Sequence, residues 1–330
     1  MKYFFYSRNR DTNTTPATHT TATTMQSSTT AAAVAATDTT YLAKQNMHPR
    51  DQRIHFDEGP HKYTIQGIQG ADNITSETEF TSVTTWVHQH FDQFHAKNII
   101  AGMMRNKKKW NDPVANFKYY GKTAEEIEQM WSTAGKEAAA KGTEMHYKIE
   151  CFYNTADTDT NTAPDTTPET EEMQQFMNFQ RDFSATLKPY RTEWTVFHEE
   201  ARIAGSIDMV YELIEPHATT ATATATATTE HPLVIYDWKR CREISRTNQS
   251  FKFATHPTIE HLPDSNYWHY ALQLNIYKYI LLTKYGKTVT DLFLVVLHPD
   301  AQNYNRIKLP DLQSEVQQLF EERIQKFADK

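Results

Sequence analysis

What most limits the fold of this chain is the order in which its apolar residues change period. A helical stretch runs from about Ser132 to Asn154. From 170 to 187, Met173, Phe176, Met177, Gln180 and Phe183 share one helical face. Three strand-like runs follow at 191–198, 202–214 and 232–238. Asp264 then opens a helix to about Tyr285, with Leu272, Ile276, Tyr279 and Ile280 on its buried side. A fourth apolar strand spans 290–298, a short strand lies near 304–309, and a helix begins at Asp311. Helix, extra helix, three strands, helix and strand in that order specify an α/β fold around a mixed β-sheet flanked by helices.

The N-terminal part is read by its turn and cap residues. Ile54–Glu58 and His61–Ile65 flank Gly59-Pro60 as a hairpin. Ser82 caps a helix running to about Arg105, and Thr123-Ala-Glu-Glu126 is a capping-box pattern. Three segments offer little apolar surface to offset chain entropy: Thr and Ala dominate 11–40, Thr, Asp and Pro fill 155–170, and an Ala-Thr alternation occupies 217–229. The expected organisation is a disordered tail over 1–50 and a single domain over 51–330. That domain comprises a hairpin and helical part (51–131) and a core (132–298), with loop insertions at 155–170 and 217–229.

Composition narrows the class. The 330 residues carry a net charge of −7, so a nucleic-acid partner requires a local basic surface. Two isolated cysteines, Cys151 and Cys241, supply neither a disulfide framework nor a four-cysteine zinc or iron–sulfur site. No run approaches the ~20 apolar residues of a membrane helix. A soluble intracellular protein, cytoplasmic or nuclear, with no membrane partner is expected.

Four features carry chemistry. In Ile235-Tyr236-Asp237-Trp238-Lys239, strand alternation sends Asp237 and Lys239 to one face. A carboxylate able to hold Mg²⁺ then lies beside an ammonium able to position water; the same tripeptide also suits a surface ion pair. Ala204-Gly205-Ser206-Ile207-Asp208-Met209-Val210 sets Asp208 within an apolar strand, where an uncompensated charge is costly, and Gly205 admits a close neighbour. If 203–213 and 232–238 pair as a hairpin, Asp208 and Asp237 approach and a divalent cation relieves their repulsion. An edge-strand Asp facing solvent is the other reading. On a helix, Gly142 precedes His146 and Glu150 follows it by four residues, so the imidazole and carboxylate share a face. Gln273 and Tyr277, also four apart, brace an acidic cluster, hold a substrate backbone or merely pack.

Together, in this order, Gly142 to His146, Gly205 to Asp208, Asp237 to Lys239 and Gln273 to Tyr277 resemble the RecB-type branch of the PD-(D/E)XK nuclease superfamily. The resemblance covers about residues 132–298. Lys62-Tyr-Thr-Ile65 with Thr81-Ser-Val-Thr-Thr85 looks like the entry of exonucleases of the mitochondrial genome-maintenance type. The stretch 54–310 also looks like uncharacterised nucleases of large DNA viruses.

The resemblance implies a PD-(D/E)XK core and a metal-dependent exonuclease acting on single- or double-stranded DNA in repair or replication, viral origin included. It implies Asp208, Asp237 and Lys239 as catalytic residues. It implies His146, Asp208 and Asp237 as ligands of Mg²⁺ or Mn²⁺, with Glu150, Glu193 or Glu200 as further candidates. Relatives with a four-cysteine iron–sulfur cluster differ from this chain. Arg240 and Arg242, with Arg246, follow Lys239 directly and could hold substrate. Arg105, Lys107, Lys108, Lys109 and Trp110 form a second basic cluster, which suits either a gripped strand or a solvated helix end. The rival readings are a catalytically silent nucleic-acid-binding module on the same fold and another metal-dependent hydrolase. The sequence leaves endonuclease action, end polarity and RNA open.

Overall fold

The long strands at the centre of the chain are apolar enough to be buried on both faces, and helices cover both. The computed structural model describes residues 39–57, 59–67, 80–155, 169–214, 231–248 and 251–329. The first elements are α1 (Tyr41–Gln45), a 3₁₀ turn (Pro49–Arg53), β1 (Ile54–Asp57), β2 (Lys62–Ile65) and β3 (Thr81–Ser82). Next come α2 (Val83–His88), α3 (Ala96–Arg105), α4 (Lys107–Trp110), α5 (Ala124–Asn154) and α6 (Glu171–Phe183). The remainder is β4 (Leu187–His198), β5 (Ile203–Leu213), β6 (Leu233–Lys239), α7 (Asn266–Tyr285), β7 (Val289–Val296), β8 (Asn305–Lys308) and α8 (Gln313–Ala328).

β1 and β2 form the expected hairpin. β3 to β8 form a six-stranded mixed sheet. β4 runs antiparallel to β5 and β5 antiparallel to β6; β6 is parallel to β7, and β8 closes the edge antiparallel to β7. The parallel β6–β7 pair requires a crossover, and α7 supplies it. One face of the sheet, through Ile207, Ile235 and Leu294, packs on α2, α7 and α8 (Trp86, Leu272, Ile276, Phe320). The other, through Tyr211, Tyr236 and Trp238, packs on α5 and α6 (Ile149, Phe176, Phe179). Each such fully buried large side chain contributes ~1.5–3 kcal/mol from desolvation.

Three expectations are corrected. Residues 39–50 are ordered and do not belong to a disordered tail. Leu42 is buried with its amide donating to Asn154 Oδ1 at 2.9 Å, and the Asn46 side chain donates to the Tyr190 carbonyl at 2.8 Å. The helix begun by Ser82 stops at His88, whose carbonyl accepts from the Gln93 side chain while Phe91 turns into the core; α3 starts afresh at Ala96. The separate helices expected at 123 and 132 are one 31-residue helix, opened by the Thr123–Glu126 capping box. The insertions at 156–168 and 217–229 and the tail before residue 39 lie outside the described residues. Among those described, no helix is long and apolar enough to cross a membrane.

Candidate metal centre

The site forms where β5 and β6 part. Their pairing ends at Met209 opposite Tyr236. Beyond that point the backbone of Trp238 is served by side chains: its N–H donates to Asp208 Oδ2 at 3.0 Å, and its carbonyl accepts from His146 Nε2 at 2.8 Å. One peptide segment thus ties Asp208 of β5 and His146 of α5 to the strand that carries Asp237 and Lys239. The Trp238 indole is clamped edge-on by Phe176 and Phe179 of α6, which fixes that segment. β3 pairs with the other end of the same β5 edge, at Ile203 and Ala204, so residues 205–208 lie in the opening between β3 and β6.

His146 Nε2 must carry a proton to donate to a carbonyl, so in the neutral ring Nδ1 keeps its lone pair. Nδ1 faces Asp208 Oδ2 at 3.6 Å and Glu193 Oε1 at 3.8 Å. The ligand atoms of His146, Glu193 and Asp208 lie within 4.8 Å of one another, a group able to hold a metal ion. Glu193 reaches it through unusual backbone. Flanking pairs Thr192–Met209 and Trp194–Ile207 set it on β4 opposite Asp208 of β5, and its φ is +42°, in the left-handed region a non-glycine residue rarely occupies within a strand. Such a conformation costs ~1–3 kcal/mol and is held only where the surroundings fix it. Ser206 Oγ donates to Glu193 Oε2 at 2.8 Å, leaving Oε1 toward His146.

Charge crowding is visible in the protonation of the cluster. Burial alone would lower the His146 imidazole, but Asp208 and Glu193 outweigh it and lift it to about 9. Burial, and next the charge of Asp208, push the Asp237 carboxyl up to about 7 against the pull of Lys239. Asp237 is 2% exposed and pairs with Lys239 through Oδ2. The Lys239 ammonium lies 4.7 Å from the centre of the Tyr270 ring. Burial opposes its charge, but Asp237 and Asp208 prevail and hold it above the usual lysine range.

Gly205 and Tyr277 fit one another. A Cβ on Gly205 would stand 2.8 Å from both Cε1 and Oη of Tyr277 and 3.0 Å from Val83 Cγ2, so only glycine lets the ring pass. Burial is the main influence raising the Tyr277 phenol, with Tyr63, Asp208 and Asp237 adding to it and a hydrogen bond with Gln273 opposing. Gln273 and Tyr277 therefore stand together beside the acidic cluster. Gly142 lies one turn before His146 on the same helical face, and a Cβ there would meet nothing within 4 Å.

Other candidates lie elsewhere. Asp237 is outside the three-residue group and adjoins it through its coupling to Asp208 and His146. Glu150 is likewise outside it. Glu200 pairs with Lys284 at the β4–β5 turn, 2.7 Å from Oε1 to Nζ. Arg240 is held by Glu172 of α6 at 2.7 Å, Arg242 pairs with Asp300, and the Arg246 guanidinium lies 4.6 Å over the Tyr267 ring. The sequence reading did not single out Ser206, the Trp238 backbone or Tyr270. Ser206 carried one signal, its i, i+2 spacing from Asp208 on a strand.

No family model and no curated protein matches the sequence. Among solved structures the chain is similar to the crystal structure of SSO0001, at 14% identity over 79% of each chain and a TM-score of 0.24, a likeness that carries no argument.

Proposed function

We propose that this chain is a divalent-metal-dependent nuclease with a RecB-type PD-(D/E)XK core, hydrolysing phosphodiester bonds of DNA. One observation carries the reading: an imidazole nitrogen and two carboxylate oxygens converge within 4.8 Å beside a buried Asp237–Lys239 ion pair. Four elements, α5, β4, β5 and β6, supply these groups, and the helix and the three paired strands meet at this one point. The succession of α5, three antiparallel strands, α7 and a parallel β7 supports the core assignment.

The donor set fits Mg²⁺ or Mn²⁺. Carboxylates offer hard oxygens, and a single imidazole suits Mn²⁺ as well. When bound, such an ion polarises the scissile phosphate and makes a coordinated water acidic. Asp208 is oriented for this by the Trp238 N–H, His146 by the Trp238 carbonyl and Glu193 by Ser206. Lys239 supplies a positive charge fixed in advance between Asp237 and Tyr270, aimed at negative charge growing on the phosphate without reorganisation. Gln273 and Tyr277 brace the opening between β3 and β6.

The test is cleavage of end-labelled single- and double-stranded DNA. Chelator should abolish it, and Mg²⁺ or Mn²⁺ should restore it. Lys239→Ala should lower turnover by about 10²–10³-fold, the scale of losing one preorganised charge-stabilising group. Full cleavage in chelator defeats the metal mechanism; undiminished turnover in Lys239→Ala defeats the role of the ammonium.

A further inference from the structure

The chain's charge is unevenly placed. Residues 93–122 hold seven Lys or Arg against one Asp, a net +6, while the remainder holds 27 against 40 and nets −13. These thirty residues form α3, α4 and the turns that lead to α5. The arm packs on the N-terminal half of α5 through α3 and through Trp131 Nε1, which donates to Tyr119 Oη at 2.9 Å. Lys107, Lys108 and Lys109 are exposed and have no acidic partner among the described residues.

The arm also exposes apolar surface. Val114 and Phe117 are each 83% exposed and Tyr120 is 52% exposed, whereas Trp110, the aromatic favoured by the sequence, is half-buried. The turn that presents Phe117 is hydrogen-bonded through its own side chains. Asp112 Oδ1 accepts from the amides of Val114 and Ala115, and the Asn116 side chain donates to the Trp110 carbonyl. The same short arm thus carries three exposed apolar side chains and three exposed lysines, a combination of stacking surface and positive charge. From the arm, α5 runs bare to the metal centre: residues 136–141 are exposed, and Gly142 has open space where a side chain would be.

We propose that this arm is a docking surface for a single strand of nucleic acid, with Phe117 and Tyr120 stacking on bases and Lys107, Lys108 and Lys109 pairing with phosphates. Lysines alone would suit any polyanion. Flat exposed rings beside them select unpaired bases, because a duplex hides its base faces and an acidic peptide has none. The choice of nucleic acid rests on the nuclease reading of the metal centre.

The experiment measures binding of the full chain in chelator, where no cleavage occurs, to labelled poly-dT and to a duplex of equal length over a range of salt. Phe117→Ala and Tyr120→Ala should each weaken poly-dT binding about fivefold or more and leave duplex binding unchanged. Replacing Lys107, Lys108 and Lys109 together by Gln should reduce the slope of log affinity against log salt by about 2. All these side chains are exposed, so circular dichroism should stay as in the parent. Aromatic variants that bind poly-dT like the parent overturn the proposal, as does polyglutamate competing as well as poly-dT. A chain that binds through the arm but never cleaves refutes the nuclease reading alone. One that cleaves, with arm variants binding like the parent, refutes the arm alone.

Discussion

Metal binding at this centre should release protons, and the number released follows from the protons His146 and Asp237 hold. In the metal-free protein His146 is held at about 9 by the charges of Asp208 and Glu193 against the effect of burial, and Asp237 at about 7 by burial and the Asp208 charge, so each keeps a proton. A ligating imidazole must give its Nδ1 proton to solvent. At pH 8, one unit below the His146 value, about one proton per ion should therefore be lost, and apparent affinity should rise about tenfold per pH unit. At pH 6 Asp237 is also mostly protonated and must ionise beside the cation, so release should approach about two protons and the slope about 2. Titration calorimetry with Mn²⁺ in buffers of different ionisation enthalpy reads these numbers. His146→Ala should abolish the release at pH 8 and leave about half of that at pH 6. The sign for stability follows the same logic. His146 is raised above its unfolded value of 6.5, so its contribution is full below pH 6.5 and is lost as pH rises through about 9. Added Mn²⁺ should therefore raise Tm more at pH 9 than at pH 6. No proton release at pH 8, or release unchanged in His146→Ala, would refute Nδ1 as the ligand.

Two further substitutions test how the centre is held. Gly205→Ala brings a Cβ to 2.8 Å from Tyr277 and should destabilise the fold by ~1–3 kcal/mol as overpacking, read as a lower urea midpoint; a parental midpoint would mean Tyr277 does not cross the Gly205 backbone. Ser206→Ala should free Glu193 and cost about 10–100-fold in Mn²⁺ affinity with Tm near parental, and Ser206→Thr should recover most of it. Parental affinity in Ser206→Ala would remove Ser206 from the site.

How much of this was legible depends on whether a contact lies along the chain or across it. Asp237 and Lys239 could be read because alternation in a strand is local. The Thr123 capping box could be read because both partners lie within one turn. Arg240 and Arg242 read as substrate contacts because they follow Lys239, yet Glu172 and Asp300, which hold them, are brought near only by α6 and by the turn after β7. The break after His88 was hidden because Phe91 continues the apolar pattern while facing the core from a turn. The acidic partner of His146 shows the same limit most clearly. Helical spacing nominates Glu150, but Glu150 is not among the groups whose ligand atoms gather with that of His146. Glu193 has no local claim on His146. It arrives because β4 pairs with β5 in the register that sets it across from Asp208, and because its backbone turns to φ +42°. Register and a left-handed residue are decided by the whole sheet, so the sequence could offer Glu150, Glu193 and Glu200 together, and only the fold separates them.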